Sequence, residues 1–258
     1  MSYWQDRMAN AQNKISNKSI RAIETQMRKY YAQTMKKVIA DFEATYDKLV
    51  ATMEAGKEPT PADLYKLDKY WQLQAQARTE LEKLGAKQVA LLSKQFELNW
   101  FEIYHSISLP GTPAFNTLNR QLVEQMISQI WCADGKSWSQ RIWDNTTELL
   151  STLNEGLIHI VASGKKNTEL KKTLQERFGV SYSRADALVR TEVAHIQTQA
   201  AQKRYEDYGV KMVEVWADAD ERRCDVCGKL HQTKHPISGA MPIPAHPRCR
   251  CCIVPVVE

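Results

Sequence analysis

The chain has 258 residues, 43% of them hydrophobic and 25% charged, enough for one large or two small domains around a real core. No apolar run approaches the ~20 residues that cross a bilayer, which excludes a membrane-spanning helix and predicts a soluble, cytoplasmic protein. The net charge of +5 is unevenly placed: residues 164–204 hold nine basic and four acidic residues, and the remainder is balanced.

Residues 1–16 are polar and are expected to fray. From Ile20 the apolar positions recur every three or four residues through Met27, Met35, Phe42 and Leu49, which predicts a helix of more than thirty residues with one continuous stripe. Gly56 is the expected stop. Thr60 then suits an N-cap, Pro61 the first helical position and Asp63 the positive end of the helix dipole. A second long helix runs from Leu64 through Trp71, Leu81 and Phe96 towards Tyr104, with Gly85 as a point of kinking or interruption. Two long helices joined by a short Pro-containing turn lie antiparallel. The expectation for residues 1–108 is a long helical arm with coiled-coil-like spacing.

The run L-P-G-T-P at residues 109–113 is the clearest break. A helix is predicted over 116–131, another from Trp138 behind a Ser137 cap to Ser163-Gly164, and a short one from Asn167 or Thr168 to a stop at Gly179. Ser183 and Asp186 resemble a capping box that opens one more helix through Val189, Val193 and Ala200. Residues 212–216 alternate as a strand, and Ile253, Val254, Val256 and Val257 supply its partner, which Pro255 confines to an edge.

Five of the six cysteines fall in the tail: Cys224, Cys227, Cys249, Cys251 and Cys252. C-x-x-C followed about twenty residues later by H-x-x-C-x-C has the spacing of a tetrahedral zinc site. A disulfide pair and buried free thiols are the alternatives. Disulfides need an oxidising compartment, and the opening M-S-Y-W-Q-D-R-M lacks the apolar run that heads a secretory signal. With His231, His235 and His246 the tail offers eight candidate ligands, a surplus that favours a closed structural site. The first choice is Cys224, Cys227, His246 and Cys249, with Cys251 the rival of His246; Cys252 points to the other face and reads as core. Such an ion would clamp a sheet of two or three strands, with the metal module spanning 218–255.

The run R-T-E at Arg190–Glu192, then Y-x-x-Y-G-V, the strand ending in Trp216, D-x-D-E-R-R-C-D-V-C and P-x-H-P-R-C-R-C together resemble the C-terminal domain of Mu-F-like phage minor head proteins, over about residues 138–258. In that family Arg-Thr-Cys often stands where this chain has Arg222-Arg223-Cys224. The fold class expected is mainly α: the N-terminal helical hairpin or arm, then a small α+β domain over 114–258. The resemblance implies a capsid component of the virion, at the head interior or portal vertex, made in the host cytoplasm. Its implied partners are the portal protein, other head or scaffolding proteins, and the packaged or ejected double-stranded DNA. Arg190, Thr191, Glu192 and Asp220 would be structural motif residues and zinc a structural cofactor.

Three functional classes compete. The basic segment (Lys165, Lys166, Lys171, Lys172, Arg177, Arg184) can attract DNA phosphates, dock on an acidic partner, or be a solvated helix face. A zinc-stabilised DNA-binding protein is therefore the alternative to a head component. A metal-dependent hydrolase or toxin-like enzyme is the third reading, since Glu192 and His195 sit one turn apart and Asp218 and Asp220 could join them. No nucleophile in a recognisable setting and no phosphate-cradling glycine loop accompanies them, so no catalytic residue is expected.

Overall fold

A computed structural model describes residues 3–53, 57–109, 119–217 and 223–256. The elements in order are α1 (Tyr3–Ala51), α2 (Pro61–Tyr65), α3 (Asp68–Ser106), α4 (Arg120–Ile127), α5 (Trp138–Ala162), α6 (Asn167–Asp207), β1 (Met212–Trp216), α7 (Asp225–Leu230), β2 (Lys234–Pro236) and β3 (Cys252–Pro255). The fold is mainly α, with a long N-terminal hairpin and one small antiparallel sheet, as the apolar periodicities predict. No described helix is long and apolar enough to cross a membrane.

The chain forms two compact units. One takes Thr25–Ala90 and Ser139–Ala185, and its described regular elements are all helices. Met27, Phe42 and Leu49 of α1 share its core with Leu73, Leu81 and Leu84 of α3, Leu149 and Leu153 of α5, and Leu174 and Phe178 of α6. The stripe on the hairpin is thus covered by α5 and α6. Polar ties fix the register: Tyr70 Oη donates to Asn154 Oδ1 at 2.8 Å, and Tyr31 Oη meets Ser181 Oγ at 3.2 Å. Thr60 caps α2 in a reciprocal box with Asp63, with Pro61 at the first position. Gly85 interrupts nothing. A Cβ there would lie 2.6 Å from Trp143 Cζ3, so this glycine is what lets the indole lie against α3.

The other unit takes Met1–Glu24, Leu91–Trp138 and Asp186–Glu258. Phe96, Trp100 and Tyr104 of α3, Val193, Ala200 and Tyr205 of α6, and Val213, Val215, Ile253 and Val254 of the sheet fill its core. The sheet order is β2-β1-β3, with Val215 opposite Ile253 and Val213 opposite His235. β3 is an edge strand, where Pro255 needs no amide partner. Residues 3–16 do not fray. Met8 and Ala9 pack on Trp216, Cys252 and Val254, and Gln12 Nε2 donates to the Ile253 carbonyl at 3.0 Å.

Three element boundaries differ from the sequence reading. The predicted helices on either side of Gly179 are one helix, α6, and Ser183 lies inside it. Buried Leu170, Leu174, Phe178, Ser181, Ala185 and Val189 continue one face through the glycine, and that burial outweighs a helix-interior glycine's ~1 kcal/mol penalty. A break at Lys66-Leu67 separates α2 from α3. The helix predicted over 116–131 is described only as the eight residues of α4, and its first positions, like the expected stop at Gly56, lie outside the described residues.

Candidate metal centre

Two turns bring the tail's donors together. Cys224 is the N-cap of α7, and its sulfur accepts the amide of Cys227 at 3.4 Å. An amide aimed at sulfur stabilises a thiolate, and the helical turn sets the second sulfur beside the first. The other turn is closed by the Cys249 amide donating to the His246 carbonyl at 3.2 Å, with Arg248 in the left-handed region at φ 63°.

Between the turns, Cys224 Sγ lies 3.2 Å and Cys227 Sγ 3.0 Å from His246 Nε2, and Cys227 Sγ lies 3.8 Å from Cys249 Sγ. Cys224, Cys227 and His246 form one close triad, and Cys227, Cys249 and Cys251 a second. Cys227 belongs to both. Zn–S bonds of ~2.3 Å place tetrahedral sulfurs about 3.8 Å apart, the separation found for Cys227 and Cys249. His246 Nδ1 lies 2.8 Å from the Pro247 carbonyl. A carbonyl can only accept, so Nδ1 carries the proton and Nε2 turns its lone pair on the sulfurs, the arrangement of a histidine that ligates a metal. A cavity of about 40 Å³ beside Cys224, Cys227, His246 and Cys251 is walled by Arg223, Arg248 and Arg250. The donor set fits a structural zinc ion.

Acid–base behaviour follows from the crowding. The Cys227 amide and the nearby imidazole pull the Cys224 thiol below its usual range. Hydrogen bonds from the Cys251 thiol and amide bring Cys249 down to about 5. Burial pushes Cys227 up to about 12, and Cys251 is raised because its proton is held by Cys249. The hydrogen bond to Pro247 raises His246. Protons therefore hold the sulfurs apart from mutual repulsion, and a divalent cation would displace them.

The remaining predicted donors lie elsewhere. His231 Nδ1 accepts the Ala217 amide at 3.2 Å, His235 Nε2 meets Thr233 Oγ1 at 2.8 Å, and Cys252 is fully buried in the sheet core. Asp218 and Asp220 lie outside the described residues. On α6, Thr191 and Arg190 stand beside the His246–Cys249 turn. The Arg248 amide donates to Thr191 Oγ1 at 3.0 Å, the Arg248 guanidinium reaches Asp186 at 3.1 Å, and Arg190 pairs with both Asp186 and Glu24. Glu192 accepts from Trp131 Nε1 at 3.0 Å, and His195 stacks on the same indole with ring centroids 4.2 Å apart. Asp186, Arg248, Glu24 and Trp131 were not legible as partners, because 62 residues separate Asp186 from Arg248 and no local pattern links them.

The basic residues fall in the helical unit. All six are exposed: Arg184 pairs with Glu148 and Lys171 lies 3.9 Å from Glu43, alongside Lys165, Lys166, Lys172 and Arg177. Arg204, also counted in the basic segment, is buried in the other unit between Tyr104 and Tyr208 and donates to the Ile107 carbonyl.

Residues 151–254 match the family model of phage Mu protein F like proteins. No curated protein and no solved structure matches the chain. The Mu F-like stretch lies within the 138–258 of the sequence resemblance and takes in α6, the sheet and all five clustered donors. The whole N-terminal hairpin and the first half of α5 lie outside it.

Proposed function

We propose that this chain is a phage head-morphogenesis protein: a minor capsid component that associates with the portal and other head proteins during assembly and is carried in the virion. The Mu F-like match over the stretch holding the sheet and the Cys/His cluster carries this reading. Four of Cys224, Cys227, His246, Cys249 and Cys251 hold a structural zinc ion. The ion supplies a cross-link between the turn that follows β1 and the turn that precedes β3. Apparent free energies of ~10–16 kcal/mol for structural zinc in small modules exceed what a three-stranded sheet with a four-residue edge strand gains by itself. The engagement of Glu192 and His195 by Trp131 supports a structural role for the R-T-E segment.

Co-expression with the cognate portal protein, followed by pull-down and metal analysis, tests both parts. A stoichiometric complex with one zinc per chain is expected. Absence of any complex refutes the portal contact, and well-folded protein without metal, whose melting ignores chelator, refutes the zinc centre.

The exposed lysines favour a secondary contact with packaged or ejected DNA. Phosphate binding through Lys165, Lys166, Lys171 and Lys172 should weaken steeply between about 50 and 200 mM salt. A flat salt response, or binding untouched by replacing all four with glutamate, removes the DNA contact.

A further inference from the structure

We infer that Thr191 is a positioning residue of the metal centre, which holds the His246–Cys249 turn in its ligating shape from α6; the inference rests on the zinc reading above. The second turn depends on a strained residue. Arg248 adopts φ 63°, a conformation that a non-glycine side chain enters only when its surroundings impose it. Within α6, the Thr191 hydroxyl donates to the Ala187 carbonyl at 2.7 Å, which fixes the rotor and turns a lone pair outward. That lone pair accepts the Arg248 amide at 3.0 Å. The hydroxyl thus stands one residue from Cys249 and two from His246, on a rigid helix, and holds the amide whose direction defines the turn. Asp186, one helical turn and a residue earlier, takes the Arg248 guanidinium and is itself held by Arg190, which also reaches Glu24 on α1. The turn is therefore indexed to two helices.

The test uses the full-length chain, stripped of metal and titrated with Co²⁺, whose sulfur-to-cobalt absorption reports thiolate ligation, with a competing chelator to set the affinity. Thr191→Val keeps the shape and removes the acceptor. Thr191→Ser keeps the acceptor. Loss of an outer-shell partner typically lowers metal affinity about 10–100-fold. The valine variant is expected to show that loss, the serine variant to bind like the wild type, and all three metal-free proteins to melt alike in far-UV circular dichroism. Thr191→Ala serves as the second acceptor-free variant should valine disturb packing. Wild-type affinity in the folded acceptor-free variants overturns the inference and leaves the zinc reading standing. So does an equal loss of melting temperature in the metal-free state, which marks a general packing role. A wild-type chain that develops no sulfur-to-cobalt band overturns the zinc reading itself.

Discussion

Replacing Gly85 or Gly179 by alanine adds one methyl group to a helix interior in each case, yet the two changes should move stability in opposite directions. At Gly179 a Cβ meets nothing within 4 Å, so the variant gains the helix preference of alanine, about 0.5–1 kcal/mol. At Gly85 the Cβ would strike the Trp143 ring, and overpacking of ~1–3 kcal/mol exceeds that gain. Urea unfolding of the two variants measures both signs. His195 supplies a pH dependence. Burial depresses it from 6.5 to about 4, so the unfolded chain takes up this proton first as pH falls. Stability tied to His195 is intact above pH 6.5 and is lost progressively down to pH 4, on the order of 3 kcal/mol in total. A His195→Phe variant, which keeps a ring against Trp131, should lose less stability over that window in acid titrations. Each single Cys→Ser change leaves four of the five candidate donors, but Cys227→Ser removes the member common to both triads and should lower cobalt thiolate absorption further than Cys224→Ser or Cys251→Ser. The gathering of these five residues was legible because ligand spacing is a local property of sequence. The contact from Asp186 to Arg248 was not, since it exists only once α6 and the tail have met.

The same contrast between local and tertiary signals runs through the elements. β1 announced itself by alternation and α2 by its cap and proline, and both stand where those signals place them. β2 did not, because Lys-His-Pro has neither apolar character nor length; it is a strand only because β1 offers it a partner. α6 shows the opposite failure. Glycine and a serine three residues before an acid are stop and start signals, but the unbroken run of buried positions outweighs them. If the ion clamps the sheet, a chelator should release β1, α7 and β3 first. Hydrogen exchange with and without chelator is expected to show lost protection at Val215 and Ile253 while Leu149 and Leu153 of α5 stay protected. Uniform loss or no loss would place the clamp elsewhere.

At the scale of the molecule, α1, α3 and α6 each contribute residues to both compact units, so neither unit is a continuous stretch of chain. A boundary at residues 109–113 is where the turn residues place it, and expressing residues 114–258 alone tests it. That fragment lacks Phe96, Trp100, Tyr104 and Gln12, which share a core or a hydrogen bond with α6 and β3, and is expected to lack a cooperative thermal transition. The tie between Gln12 and Ile253 also has a temporal side. The two residues lie 241 positions apart, and at roughly 5–20 residues per second a ribosome needs about 10–50 s to make the second after the first. Throughout that interval the opening turns of α1 wait with Met8 and Ala9 uncovered. β3 can seat only once its own residues have left the ribosome, so the nascent chain is a natural client for a holding chaperone until then.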